Sequence, residues 1–238
     1  MYVFSDVGSK KRFNGQKNFM NLKICWLYPE LMSTYGDRGN IIVLQKRCEW
    51  RKIAIEIVNE IDGVDLIFGG GAQDRQQEIV MRDLMNKKNT LEKLLNNNIP
   101  GLFVCGAPQL LGRPYLGLFD METKFGFKNR LIGNLITDKF VGFENHGGRT
   151  YLGPKVRPFA KVIKGYGNNG EDKTEGAVYK NWIATYSHGP LLPKNPHIAD
   201  WLIKTALEAK YGKAVKLEPL DDDLENRAHD FIVSKYGR

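Results

Sequence analysis

The stretch Leu102-Phe103-Val104-Cys105-Gly106-Ala107-Pro108-Gln109 decides how the chain is read. Leu102 to Val104 is a short, fully apolar strand, and Cys105 closes it. Gly106 and Ala107 permit a sharp turn, and Pro108 suits the first turn of a helix. A strand, a tight turn and a helix around a nucleophilic side chain make a nucleophile elbow. Upstream, Asp65-Leu66-Ile67-Phe68 is a second apolar strand running into Gly69-Gly70-Gly71. Leu22 to Tyr28 reads as a buried first strand, which Pro29 breaks. Asn40 to Arg51 carries Ile41, Leu44 and Cys48 at helical spacing, and Ile53 to Ile61 alternates like a strand. Asp74 to Asn86 and Thr90 to Asn98 read as helices. Buried strands alternating with helices predict an α/β fold with a mostly parallel sheet.

The second half is richer in short strands, expected at Phe140–Phe143, Lys161–Gly165, Ala177–Tyr179 and Trp182–Tyr186. Pro196 to Tyr211 is predicted as a helix. Asp221-Asp222-Asp223 is placed to start a last one, because carboxylates favour a helix N-terminus. The expected organisation is a flexible extension over 1–20, one domain over 21–212 and a helical extension over 213–238.

Composition removes several function classes. The 238 residues carry 42% hydrophobic and 26% charged side chains, the balance of a folded globular chain. Cys25, Cys48 and Cys105 form no C-x-x-C pair, and four histidines show no metal-ligand spacing. A disulfide scaffold and a metal enzyme are therefore not expected. No apolar run approaches the roughly 18 residues of a membrane span. The net charge of +8 raises nucleic-acid binding, but the basic residues are dispersed. Lys46, Arg47, Arg51 and Lys52 read as a solvated helix face, and no nucleic-acid partner is expected.

Cys105 is either a nucleophile or a core thiol, and its local context leaves both readings open. A helix N-terminus beyond the elbow lowers a thiol pKa from about 8.5. A nucleophilic thiol also needs a base and an oxyanion site. His188, in Tyr186-Ser187-His188-Gly189-Pro190, follows an apolar strand and is expected on a loop at the sheet's carboxyl edge, where ligands bind. His146, in Glu144-Asn145-His146-Gly147-Gly148-Arg149, competes with it, although that segment reads better as a hydrogen-bonded loop shaping the site or an interface. Arg149 either binds substrate or braces this loop. Gly69-Gly70-Gly71 can aim backbone N–H groups at an oxyanion. It matches neither a P-loop nor a dinucleotide fingerprint.

The order of glycine-rich loop, cysteine elbow and distant histidine resembles the class I, triad-type glutamine amidotransferases of the cobyric-acid-synthase-like branch. Further segments resemble that branch's glutaminase subunits of lipid II isoglutaminyl synthases: Tyr35-Gly36-Asp37-Arg38-Gly39-Asn40, Gly142 to Thr150 and Gly165 to Asn169. The resemblance covers roughly Leu22 to Ile203. It implies a flavodoxin-like three-layer sandwich and a cytoplasmic glutaminase acting near the membrane's inner face. Cys105 would be the nucleophile and His188 the general base. Arg130 and Gln109 would bind L-glutamine, and backbone N–H groups at Gly71 and Gly106 would form the oxyanion hole. The implied partner is a Mur-ligase-like subunit in a heterodimer. That partner would hold ATP and magnesium and amidate the D-glutamate of lipid II; no cofactor is expected in this chain. Another carboxylate acceptor and a catalytically silent scaffold are the alternatives, and an unrelated cysteine hydrolase is a third.

One departure stands out. The acidic residue common two positions after the histidine is replaced by Pro190. The expectation is that no local carboxylate orients His188, that the partner supplies the acid, and that the isolated chain is a weak glutaminase. Asn168 and Asn169 are expected at left-handed turn positions.

Overall fold

A computed structural model describes residues 20–237. Most of the extension expected over 1–20 lies outside the described residues. Six strands form the main sheet: β1 (Asn21–Leu27), β2 (Ala54–Val58), β3 (Leu66–Gly69), β4 (Gly101–Val104), β11 (Ala177–Tyr179) and β12 (Trp182–Thr185). Their order is β11-β12-β4-β3-β1-β2. All pairs are parallel except β11–β12 at one edge.

The uninterrupted apolar runs follow from burial on both faces. Leu22 and Ile24 of β1, Leu66 and Phe68 of β3, and Leu102 and Val104 of β4 enter one core. Cys25 and Leu27, Ile67 and Phe103 alternate into the other. The first core is closed by α1 (Arg38–Trp50) and α4 (Pro196–Tyr211), the second by α2 (Asp74–Asn96) and the short α3 (Gly106–Leu111). A strand buried on both faces cannot show the polar alternation of a half-exposed one. The helices expected at 74–86 and 90–98 are one continuous α2, stapled midway by Lys87 and Asp83 at 2.6 Å.

A second, antiparallel sheet was only partly legible. It contains β6 (Leu131–Thr137), β7 (Val141–His146), β9 (Ala160–Lys164), β10 (Thr174–Glu175) and β13 (Ser187–His188), in the order β10-β9-β6-β7-β13. A separate pair joins β5 (Met121–Lys124) to β8 (Arg149–Leu152). The helix expected at 196–211 has those bounds, and Gly212 ends it in a left-handed conformation at φ 63°. The last helix, α5 (Asp223–Tyr236), packs back on β6 and β7.

The solvated face expected around residues 46–52 is not solvated throughout. Arg47 is buried and pairs with Asp200 of α4 at 2.6 Å and Asp222 at 2.5 Å. Arg51 reaches Asp200 at 2.7 Å. Burial pushes the Asp200 carboxyl upward, but its bonds to the two arginines outweigh it and hold the pKa below the usual range. These pairs fasten α1 to α4 and to the start of α5. The asparagines expected at left-handed positions are absent from them; Gly165, Gly167 and Gly170 take the positive φ values. Asn168 instead brackets Gly176, donating to its carbonyl at 2.9 Å and accepting its N–H at 2.8 Å. No helix among the described residues is long and apolar enough to cross a membrane.

Candidate active site

The parallel strands β3, β4 and β12 deliver three chain segments to one edge of the main sheet. At the end of β4, Cys105 takes φ 51° and ψ −97°. A non-glycine residue in that region costs about 1–3 kcal/mol, and the surrounding structure must hold it. Two contacts do so. The Cys105 N–H donates to the Thr185 carbonyl at the end of β12, at 2.8 Å. On the other side Gly106 lies so close to the glycine loop that a Cβ there would come within 2.8 Å of the Ala72 nitrogen.

His188 is not on a loop. The chain leaves β12 at Thr185, crosses between the sheets at Tyr186, and pairs as β13 with β7, His188 opposite Phe143. This two-residue strand fixes the imidazole, which is fully buried. Its Nδ1 lies 3.3 Å from Asp37 Oδ1. The other oxygen of Asp37 accepts the Gly71 N–H at 2.6 Å. Gly71 must lack a side chain, since a Cβ would strike Thr34 Oγ1 and come within 2.8 Å of His188 Cε1.

The carboxylate expected from another chain is thus present in this one. Asp37 ends the loop after β1 and precedes the first turn of α1. That turn is seated by Gly39 against Pro190, where a Cβ would collide with the proline ring. Pro190 therefore occupies the usual acidic position and serves as the seat for the element that brings the acid. Burial lowers the His188 pKa, but charge on Cys105 and the bond to Asp37 outweigh it and raise the pKa to about 10. The charged imidazolium is therefore favoured, with Asp37 behind it. His188 Nε2 is buried and has no hydrogen-bond partner.

The structure corrects the oxyanion assignment in part. The Gly71 N–H is engaged by Asp37, because the glycine loop also secures the acid. The Ala72 amide faces Gly106 instead, and Ala72 lines the cleft with Cys105. Arg130 and Gln109 both line the cleft that reaches Cys105. Gln109 is buried, and its Nε2 donates to Tyr186 Oη at 3.3 Å. Arg130 is at the exposed mouth, bonded through Nε and Nη2 to Asn145.

His146 has a different setting. Its ring stacks on Tyr186 at 3.7 Å, and its Nδ1 lies 2.9 Å from the Gly148 carbonyl. Glu144 beside it accepts the Tyr166 and Gly167 N–H groups. Arg149 donates to the carbonyls of Gly147 and Asn129. The segment from 144 to 149 is a braced wall of the cleft.

In the sequence Asp37 is assigned no role, although it lies in the family-like segment Tyr35 to Asn40. It stands in a turn-forming stretch, 151 positions from His188. That segment was the available signal; the burial of Asp37 beside His188 shows only in the fold.

Comparison with known proteins identifies the family. Residues 23–196 match the CobB/CobQ-like glutamine amidotransferase domain. The chain is similar to the Staphylococcus aureus lipid II isoglutaminyl synthase (glutamine-hydrolyzing) subunit GatD, 38% identical over 91% of this chain and 97% of that one. The same-named Streptococcus pneumoniae subunit is 37% identical over 85% and 87%. A solved glutamine amidotransferase has the same fold, with a TM-score of 0.52 at 13% identity over 77% of this chain and 98% of that one.

Proposed function

The chain belongs to the CobB/CobQ-like glutamine amidotransferase family, and from that premise we propose that Cys105, His188 and Asp37 release ammonia from L-glutamine. One observation carries the reading: a strained thiol elbow meets a buried imidazole whose far nitrogen faces a buried carboxylate. The Cys105 thiolate attacks the side-chain amide carbon. The oxyanion is held by the backbone N–H groups of Gly106 and Ala72. The His188 imidazolium gives its proton to the leaving nitrogen, so ammonia departs and a γ-glutamyl thioester remains. His188, now neutral, takes a proton from water. The hydroxide adds to the thioester carbon, the C–S bond breaks, glutamate leaves and the Cys105 sulfur is regenerated. Asp37 keeps the ring oriented and stabilises its cationic form. Arg130 holds the glutamine α-carboxylate as a guanidinium fork, with Gln109 lining the same chamber.

The acceptor reading rests on the near full-length likeness to the two GatD subunits. In it, ammonia passes to a Mur-ligase-like partner in a heterodimer. The partner uses ATP and magnesium to activate the D-glutamate α-carboxylate of lipid II, near the cytoplasmic membrane face. Because Asp37 is supplied in this chain, the isolated protein should release ammonia from glutamine without a partner. Reconstitution with the partner ligase, ATP, glutamine and lipid II tests the acceptor. Amidated lipid II is the expected product. Ammonia release with no amidation points to a different carboxylate acceptor.

A further inference from the structure

Arg130 divides the cleft over Cys105 in two. One chamber is lined by Thr34, Tyr35, Gln73 and Asn145. The other, of about 200 Å³, is lined by Gln77, Gln109, Phe127, Gly147 and Gly148. Both reach Cys105 and Ala72. Arg130 is a long, exposed side chain at this partition, and such a chain loses much rotamer freedom when held in one place. Asn145 holds it. Its Oδ1 accepts from Arg130 Nε at 2.8 Å, and its carbonyl accepts from Nη2 at 2.8 Å.

The orientation of the Asn145 amide follows from its neighbours, because a guanidinium only donates. Its Nδ2 therefore points the other way and donates to Tyr35 Oη at 2.9 Å. Tyr35 has a fixed place of its own. Its backbone is at φ 53°, and its ring packs edge-on against His188 at 5.0 Å. A continuous strap thus runs from the catalytic imidazole through Tyr35 and Asn145 to Arg130. It leaves Arg130 Nη1 and one N–H of Nη2 unused by Asn145. Nη1 faces Gly147, a wall of the Gln109 chamber.

We propose that Asn145 is the positioning residue of the glutamine site, holding Arg130 so that its free edge receives the substrate α-carboxylate in the Gln109 chamber. The inference rests on the glutaminase reading and extends it to a residue that does not touch substrate. A neutral amide suits the task. It orients the guanidinium through a good acceptor while leaving the positive charge whole for the substrate. An aspartate would orient it equally well and cancel the charge.

The test uses two alkylating agents on the full chain, followed by intact-mass measurement. 6-Diazo-5-oxo-L-norleucine is a glutamine-shaped electrophile that carries the α-carboxylate. Iodoacetamide carries none. Cys25 and Cys48 are fully buried in the core while Cys105 lines the open cleft, so Cys105 dominates the labelling. Asn145→Ala should slow the diazo reagent about tenfold, the worth of one charge-assisted bond. Asn145→Asp should slow it at least as much, and Tyr35→Phe about threefold. Iodoacetamide rates should stay within about twofold throughout. Equal losses with both reagents, or wild-type diazo labelling in Asn145→Asp, would overturn the proposal. A wild-type protein that reacts with iodoacetamide and resists the diazo reagent would remove the glutaminase reading itself, and this inference with it.

Discussion

His188 and His146 are two buried histidines, each with a buried carboxylate nearby, and their surroundings give them opposite characters. His188 Nδ1 faces Asp37 at 3.3 Å, whereas His146 Nε2 is 3.7 Å from Glu144 and its Nδ1 faces a backbone carbonyl. Asp37 spends one oxygen on Gly71 and keeps the other for the ring. Glu144 spends both on the N–H groups of Tyr166 and Gly167. The free edge of His188 lies toward a thiol, while His146 is stacked flat on Tyr186. Burial and a nearby acid do not make a base. What matters is whether the carboxylate is committed elsewhere and whether a reactive atom lies at the other nitrogen.

The largest expected effect separates the two rings outright. Cys105→Ala and His188→Ala should each lower glutamine hydrolysis by at least about 10⁴-fold. His146→Phe, which can keep the stack on Tyr186, should stay within about tenfold in an ammonia-release assay. Equal losses at the two histidines would erase the distinction.

The two carboxylates come next. Asp37→Asn should cut kcat by about 10³-fold, because the amide no longer stabilises the cationic ring. Glu144→Gln should leave kcat within about tenfold and lower unfolding free energy by about 1–3 kcal/mol, since one backbone N–H loses its acceptor. Parallel kinetics and denaturant titrations separate these outcomes.

On the His146 side the expected pH dependence is in stability. Glu175 accepts the Tyr186 N–H at 2.7 Å and the Thr185 hydroxyl at 2.9 Å. Its burial raises the pKa to about 8; those two bonds oppose the shift, and Glu144 adds to it. The folded protein therefore holds a proton that the unfolded chain loses near pH 4.5. The stabilisation is complete below that pH and lost as pH rises to about 8. Glu175→Gln mimics the protonated form and should be more stable than wild type at pH 8.5, by on the order of 5 kcal/mol. A wild-type advantage at that pH would show that the carboxyl is ionised when folded.

The His188 ring gives the smallest effect and the sharpest one. Its pKa is raised to about 10. Its charged form therefore adds stability fully below pH about 6.5, and that contribution fades as pH rises toward 10. Removing the thiol in Cys105→Ala should lower the midpoint, read from imidazole NMR shifts. An unchanged midpoint would assign the whole shift to Asp37.

Much of this contrast was legible before the fold was known. The elbow around Cys105 and the glycine run after β3 are local chemistry, and the context of His188 marked it above His146. Less was legible where strands are short and half-exposed and their pairing is distant. β5, β6 and β8 were not anticipated, and β7 was seen only at its start. The second sheet uses short strands whose partners lie far along the chain. Arg47 read as a surface cation because a charged residue at helical spacing looks the same with or without buried aspartates beside it.

What the sequence determined by itself was the set of short-range conditions: where the strands end, which turns glycine permits, and which thiol stands at a strand end. Tertiary structure alone decided that Asp37 completes the site, that Gly71 serves the acid and Ala72 faces the elbow, and that Asn145 holds Arg130. Each of those choices joins segments separated by long stretches of chain. Backbone propensity acts over a few residues, whereas a buried carboxylate is positioned by whatever the closed core leaves beside it.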